Sequence, residues 1–181
     1  MRAILLLNTL LLRLKNNSNS GFTLLELLIV LIIMGVLAGV ALPNMLGAVS
    51  KSKQAAPKVT LKAVNDAQIG YRAQYSKFGN SMGQIEVGMP SSTTDYQYEI
   101  KGEDDVATII AKSKDTKLKG YSGAVVMYTA AGSNSSNVQV ASIICEADSP
   151  GIETPALPVL NPKASTPEEA VKCADTTKPL S

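Results

Sequence analysis

The segment that decides the fold reads Gly21-Phe22-Thr23-Leu24-Leu25-Glu26 and continues into an apolar run from Leu27 to Leu42 that holds no polar side chain. From Leu24 to Leu42 there are 19 residues, and Glu26 is the only charged one. At about 1.5 Å of rise per residue, such a helix spans roughly 28 Å, close to the hydrocarbon thickness of a bilayer. A carboxylate within it costs about 2.5–3.5 kcal/mol on insertion scales, so we expect Glu26 to have a partner.

The helix itself offers Glu26 no cationic partner. No Lys or Arg lies three or four positions away, and the nearest upstream cations are Lys15 and Arg13. A simpler alternative is that Glu26 is an interfacial residue near the end of an ordinary single-pass anchor. It lies only two residues into the apolar stretch, where the cost of a charge is small.

The order of residues from Gly21 to Glu26 closely resembles the N-terminus of type IV prepilins. In that family a leader ends in Gly, Phe becomes the new N-terminus, and Glu stands at the fifth mature position before an apolar helix. Gly21, Phe22 and Glu26 match these positions. The resemblance implies a prepilin peptidase that cuts between Gly21 and Phe22 and methylates the Phe22 amine. It also implies that Glu26 pairs with the Phe22 amine of a neighbouring subunit and so sets the axial register of a polymer.

Residues 1–21 form the expected leader peptide. They hold three basic residues, Arg2, Arg13 and Lys15, and no acid, and the apolar stretch from Ala3 to Leu12 is too short to span a membrane. No signal-peptidase site of the Ala-x-Ala kind follows it. Without the leader, the 17 basic residues fall to 14 against 15 acidic ones, so net charge gives no argument for nucleic-acid binding.

Beyond the anchor, apolar residues continue to recur at helical spacing and predict one helix from about Thr23 to about Tyr75. Residues 22–49 are its membrane-spanning or filament-core half, and residues 50–78 are its amphipathic half. The apolar stripe that we expect to face a sheet consists of Leu42, Leu46, Val49, Ala56, Val59, Ala63, Ala67, Tyr71 and Tyr75.

The stretch from Gly35 to Pro43 is a predicted soft spot in this helix. Pro43 removes the backbone hydrogen bond to the carbonyl of Gly39 and crowds that turn, and the two glycines weaken the helix before it. Pilins carry a glycine and a proline in this region, which implies that it bends or unwinds when subunits pack into a filament. The alternative for Gly35-x-x-x-Gly39 is a generic helix-packing motif.

Residues 79–148 change in pattern from helix to loop and strand. Glycine, serine and proline residues between Gly79 and Ser92 predict a loop. Four β-like runs follow, with turn-rich pieces between them that include Gly120–Gly123, and they predict a three- or four-stranded antiparallel meander. The runs are Tyr96–Ile100, Val106–Ala111, Ala124–Thr129 and Val138–Cys145.

The last segment, residues 149–181, is rich in proline and is predicted to be an extended surface loop that adds nothing to the core. The fold class is therefore α+β: a long N-terminal helix, apolar in its first half and amphipathic in its second, packs on a small antiparallel sheet followed by a C-terminal loop. This is the pilin fold that the resemblance implies.

Cys145 and Cys173 are the only two cysteines, and both lie outside the apolar run. Two cysteines in that position suggest one disulfide in an oxidising compartment, and the alternative is two free thiols. Many type IV pilins attach the C-terminal loop to the sheet by a disulfide at compatible positions. Two cysteines without histidine do not make a zinc ligand set, so no metal is expected.

Three polar clusters have plain alternatives to a binding role. Glu103-Asp104-Asp105 is a solvated hairpin turn rather than a calcium loop. The basic run of Lys112, Lys114, Lys117 and Lys119 is a solvated strand end rather than a direct DNA contact. Asn134-Ser135-Ser136 fits a glycosylation sequon. The chain contains no histidine, and we see no nucleotide-binding loop or nucleophile–base pair, so neither an enzyme nor a cofactor is expected.

The resemblance implies a bacterial subunit that is held in the inner membrane and then polymerises with itself into a cell-surface pilus. It also implies cytoplasmic ATPases, a membrane assembly platform and an outer-membrane pore, with motility, adhesion or DNA uptake as the purpose of the fibre. Two alternatives stay open. One is a minor pilin or type II secretion pseudopilin, which shares the N-terminus, and the other is an anchored binding domain that never polymerises.

Overall fold

The computed structural model describes residues 22–129 and 138–180, without the side chains of Leu42, Pro43, Asn44 and Leu46. The leader, with Gly21, and the sequon at Asn134 therefore lie outside the described residues. The chain divides into two compact units, Met1–Met45 and Leu46–Ser181.

Helix α1 spans Leu24–Tyr75 and is 52 residues long. Its bounds confirm the predicted helix to within one residue. Glu26 in the first turn and Arg72 in the last turn have the charges that the helix dipole favours at each end. The helix ends at Tyr75. The next residue, Ser76, donates its N–H to the Arg72 carbonyl at 2.9 Å, and its φ of 56° turns the chain out of helical geometry.

The main sheet has five antiparallel strands. The first four are β1 Tyr96–Gly102, β2 Val106–Ser113, β3 Tyr121–Thr129 and β4 Val138–Ala147. The tail supplies β5 Val159–Leu160, helix α2 Pro167–Ala170, β6 Val171–Lys172 and β7 Thr177–Pro179. The order in the main sheet is β1-β2-β3-β4-β7, and β5 and β6 pair in a separate two-stranded sheet. The α+β class with an antiparallel sheet is confirmed.

The predicted turn at Gly120–Gly123 is wrong, because β3 begins at Tyr121 and runs through Gly123. Gly123 is paired with Ile109 on β2 and with Ile144 on β4. A Cβ added at Gly123 would lie 3.0 Å from Ile109 Cγ2 and 3.3 Å from Asn65 Oδ1. The glycine therefore marks a close approach of the helix to the sheet rather than a turn.

The prediction of a non-core tail is also wrong. Thr177–Pro179 forms the fifth strand, beside Cys145–Ala147 on β4. Other parts of the tail pack on β3 and β4 in a second core cluster of Ala124, Val126, Tyr128, Ala141, Ala164, Ala170 and Val171. The proline-rich composition of the tail predicted a loop, although its short elements have local signals of their own. Helix α2, for example, begins with Thr166 before Pro167, and the Thr166 side chain accepts a hydrogen bond from the Glu169 N–H at 3.4 Å.

The face of α1 that packs on the sheet is not the predicted stripe. The buried residues are Pro57, Thr60, Leu61, Val64, Asn65 and Gln68. Ala67 and Tyr71 of the predicted stripe do pack against the core, but Val49 and Val59 are 50% and 66% exposed. The prediction went wrong because the true face includes two buried amides, which a search for apolar periodicity passes over.

Those two amides are satisfied by backbone groups across the interface. Asn65 Nδ2 donates to the Ile143 carbonyl on β4 at 3.2 Å. Gln68 donates to the Gly79 carbonyl and accepts from the Gly79 N–H, each at 2.8 Å. Because both amides are hydrogen-bonded, the helix can bury them without the penalty of an unpaired polar group.

Candidate functional site

The N-terminal end of α1 is organised by Thr23 and Glu26. The Thr23 carbonyl accepts the first helical hydrogen bond from Leu27 N–H at 3.2 Å, which makes Thr23 the N-cap residue. Its hydroxyl oxygen accepts from Glu26 N–H at 3.2 Å. In return, Glu26 Oε2 accepts from the Thr23 N–H at 3.0 Å and from the Thr23 hydroxyl at 3.0 Å. The pair forms a capping box, in which residues three apart satisfy each other's free backbone donors.

The sequence analysis did not predict this capping role of Glu26. The signal was available, because Thr23-Leu-Leu-Glu26 before an apolar run is the pattern of a capping box. The capping bonds come from neutral donors, so they hold the carboxylate in place without neutralising its charge. Phe22 precedes the cap and is 79% exposed.

The apolar segment that follows is entirely uncovered. Within the described residues, one helix is long and apolar enough to cross a membrane, over Leu24–Ala41, and none of that stretch is buried. Gly35 and Gly39 lie in the helix with no atom within 4 Å of an added Cβ, and Pro43 also lies within its bounds. So large an exposed apolar surface requires lipid or other protein around it.

Cys145 and Cys173 form a disulfide, with their Cα atoms 5.7 Å apart. Cys145 lies in β4 and Cys173 directly follows β6, so the bond ties the tail to the main sheet. The proposed covalent link between sheet and tail is therefore present.

Next to the disulfide, the Glu146 carboxylate links the sheet to α1. Glu146 Oε1 accepts from Lys119 Nζ at 2.8 Å, and Oε2 lies 3.0 Å from Lys58 Nζ on the helix. The Tyr121 hydroxyl lies 2.9 Å from Gln54 Oε1 and 3.3 Å from Glu146 Oε2. Burial raises the pKa of Glu146, but the hydrogen bonds from Lys119 and Lys58 outweigh burial and hold the pKa below its ordinary value. The cluster is structural, since both lysines act on a carboxylate of the same domain.

Two lysines of the basic run, Lys114 and Lys119, also make contacts within the domain. Lys119 bonds Glu146, and Lys114 Nζ donates to Ser92 Oγ at 2.6 Å and to the Thr93 carbonyl at 2.7 Å. These contacts favour the interpretation of a strand end over a phosphate-binding surface. Among the described residues, no group of three or more metal-ligating side chains comes together, and the acidic turn at Glu103 is no exception.

Comparison with known proteins agrees with this architecture. Residues 16–42 match the model of the prokaryotic N-terminal methylation motif, and residues 54–174 match the family of type IV pilin-like G and H proteins. The first match contains Gly21, Phe22 and Glu26, and the second contains both cysteines. No solved structure gives a significant match.

Three characterised relatives show how far the similarity extends. The type IV major pilin PilA of Myxococcus xanthus is 44% identical over 71 residues, which are 38% of this chain and 32% of the relative. The type IV wide pilus major component PilA4 of Thermus thermophilus is 31% identical over 117 residues, covering 61% of this chain and 79% of the relative. The type II secretion system core protein G of Klebsiella michiganensis is 33% identical over 64 residues, 35% of this chain and 45% of the relative.

The match therefore spans about a third of the Myxococcus pilin and under half of the Klebsiella protein. The pilin-like model, in contrast, covers more than half of this chain, including most of the domain that follows the anchor. Proteins of this family are structural and not enzymes. With its methylation motif, its apolar N-terminal helix and its antiparallel sheet, the chain belongs to the type IV pilin-like family.

Proposed function

We propose that the chain is the structural subunit of a type IV pilus, held in the bacterial inner membrane through α1 and then polymerised into a surface fibre. The observation that carries the proposal is the uncovered apolar helix with one capped carboxylate, Glu26, in its first turn. Lipid suits the apolar residues but leaves the carboxylate without a counter-charge. A polymer of identical helices supplies both an apolar surround and a charge partner.

The partner in this proposal is the amine exposed by cutting between Gly21 and Phe22. Within one chain, the Glu26 carboxylate is engaged by the Thr23 N–H and hydroxyl, and in this proposal its charge partner is the Phe22 amine of a neighbour that is staggered along the axis. Glu26 Oε2 already accepts from Thr23, which fixes where the carboxylate can receive the incoming amine. A subunit in the wrong register leaves both charges buried and unpaired, which costs several kcal/mol.

Assembly on this account needs the prepilin peptidase, the cytoplasmic ATPases and the membrane platform. Residues 22–49 form the membrane and core segment, residues 50–78 the amphipathic half, and residues 79–181 the domain that decorates the fibre. In this proposal, α1 bends or unwinds at Gly35, Gly39 and Pro43 when subunits pack.

A second candidate is a type II secretion pseudopilin, because core protein G of that system is among the relatives. Two observations favour a pilin. The Thermus pilus component is matched over 117 residues, whereas the Klebsiella core protein is matched over 64. The tail is also tied to the sheet by the Cys145–Cys173 disulfide.

The test is fibre recovery from the native host. Cells are sheared, and fibres are pelleted from wild type, Glu26→Ala and Gly21→Arg strains. We expect wild-type fibres rich in this chain, and Glu26→Ala protein that is cut and membrane-resident but absent from fibres. Gly21→Arg should leave an uncut precursor. Normal fibres from Glu26→Ala would remove the register role, and a wild-type chain found only in the membrane would favour the pseudopilin or the anchored domain.

A further inference from the structure

A small open cleft lies beside the last turns of α1, where the helix meets the loop that follows it. Its volume is about 140 Å³, and we call it the tyrosine cleft. Its lining includes a glycine, two tyrosines, two glutamines and a glutamate, namely Gly70, Tyr71, Tyr75, Gln74, Gln84 and Glu86. The proposed function uses none of these side chains, so the cleft needs an explanation of its own.

The two tyrosines form an aromatic wall that is supported from behind. The ring centroids of Tyr71 and Tyr75 are 4.4 Å apart, with the rings tilted by 31°. Tyr71 packs against the main core cluster, whereas Tyr75 is 58% exposed. A ring that is held in place and open to solvent offers an apolar surface for stacking at little cost in side-chain freedom.

Gly70 leaves space at a position where the fold does not require a glycine. It lies inside α1, where glycine is the least favourable residue after proline. A Cβ added at Gly70 would meet no atom within 4 Å, so close packing in the single subunit does not account for it. Glycine also occurs where a ligand approaches the backbone closely, and the position of Gly70 beside the tyrosine wall fits that use.

Glu86 lines the cleft from the loop and has a strained backbone. Its φ of 55° lies in the left-handed region that favours glycine. The residue is exposed, and it takes part in none of the ion pairs within the part of the chain that the structure describes. Strain of this kind is common at ligand sites, where the backbone holds a side chain in a required direction.

The polar groups of the cleft both donate and accept hydrogen bonds. The amides of Gln74 and Gln84 carry N–H donors and a carbonyl acceptor, and the Glu86 carboxylate accepts. Gln84 Oε1 already accepts from the Asn80 N–H at 2.7 Å, which orients that amide. A cationic amine offers donors only and would leave the amide N–H groups unused. A sugar ring matches both features of the cleft, because its hydroxyls donate and accept beside an apolar C–H face.

We propose that the tyrosine cleft binds a neutral saccharide. One pyranose ring stacks on Tyr75 above Gly70, and its hydroxyls bond the two glutamines and Glu86. The cleft is small and open, so it holds a single ring and leaves the rest of a glycan in solvent. The inference adds a binding function to the single subunit and does not depend on assembly of a fibre.

The test is saturation-transfer difference NMR on the full chain in a polyoxyethylene detergent, which contains neither sugar nor ammonium. The probes are the methyl glycosides of glucose, galactose, mannose and N-acetylglucosamine, with tetramethylammonium as the cationic probe. Saturation of the aromatic protons should reach the ring C–H protons of at least one glycoside. Absence of transfer to every glycoside, or transfer to tetramethylammonium alone, overturns the inference.

Two variants locate the signal within the molecule. Gly70→Leu fills the cleft where an added Cβ meets nothing, so it should abolish the transfer and keep the Cys145–Cys173 disulfide. Glu86→Gly suits the left-handed backbone but removes the carboxylate, so it should weaken the transfer. Ala55→Leu, at an exposed position of α1 outside the cleft, is the matched control and should behave as wild type. Transfer that survives Gly70→Leu at full strength overturns the inference.

Discussion

Thr23 and Glu26 each satisfy the other's backbone at the start of α1, with 3.0 Å from Thr23 N to Glu26 Oε2 and 3.2 Å from Glu26 N to Thr23 Oγ1. The carboxylate that we propose as the register residue is thus also a helix cap. Replacing Thr23 with Ala should cost about 1 kcal/mol of helix stability and leave Glu26 less well oriented. We expect a lower fibre yield from Thr23→Ala, and recovery in Thr23→Ser, which keeps the hydroxyl. Equal fibre yields from Thr23→Ala and Thr23→Ser would show that the capping bonds do not affect assembly.

The pair of hydrogen bonds between Gln68 and Gly79 makes a stability prediction for the domain. Gln68→Leu keeps a similar volume but leaves the buried N–H and carbonyl of Gly79 unpaired. Each unpaired group costs about 1–3 kcal/mol, so denaturant unfolding should show a loss of about 2–6 kcal/mol. Gln74→Leu on the exposed part of the same helix is the matched control, with an expected change within about 0.5 kcal/mol.

The disulfide predicts a large loss of stability when both of its cysteines are replaced. Its cysteines are 28 positions apart, and the chain-entropy model assigns a loop of that size roughly 3–4 kcal/mol. Double replacement of Cys145 and Cys173 by Ser should lower the free energy of unfolding by about that amount and detach the tail. Limited proteolysis would then cut within residues 149–181 first. A tail that stays protected in the double variant would show that its packing on β3 and β4 suffices.

Glu146 predicts a loss of stability at acid pH. Its pKa lies below the ordinary value when folded, so the unfolded chain binds a proton at higher pH than the folded one. The stabilisation is fully present above the unfolded pKa of about 4.3 and is lost as pH falls through the lower folded pKa. Glu146→Gln should weaken the dependence of the free energy of unfolding on pH in this range. The control is Glu99→Gln, which replaces an exposed carboxylate on β1 and should leave that dependence unchanged.

Gly35 and Gly39 allow the soft spot to be tested directly. An added methyl group meets nothing within 4 Å at either position, so alanine fits the helix of the single subunit. Each change should strengthen the helix by about 0.5–1 kcal/mol. We expect Gly35→Ala with Gly39→Ala to accumulate in the membrane but to give fewer fibres, because a stiffer helix resists bending. Undiminished fibre yield would show that α1 assembles without yielding there.

The long helix and the sheet were predictable because both follow from apolar periodicity and turn residues. The bounds of α1 and the existence and order of the four main strands needed no other information, although β3 begins at Tyr121, three residues before the predicted run. The buried face of α1 was not predictable in the same way, because Asn65 and Gln68 enter the core through hydrogen bonds to backbone groups outside the helix, at Ile143 and Gly79. Only the positions of Ile143 and Gly79 in the fold make these amides compatible with burial.

At the site, sequence reasoning located Phe22 and Glu26 but not the capping bonds between Thr23 and Glu26. The C-terminal tail was predicted wrongly for a different reason. Its prolines suggested a loop, whereas the disulfide and the three-residue strand Thr177–Pro179 bring it into the sheet. Elements this short have no periodicity to detect, so their formation depends on the surface of β3 and β4 that they cover.

The most direct test of the account is the intact mass of the chain isolated from sheared surface fibres. The account predicts a chain that begins at Phe22, carries one methyl group on its terminal amine and has Cys145 and Cys173 oxidised. A polymer built from chains that still begin at Met1 would contradict it, because no free amine would then exist beside Glu26.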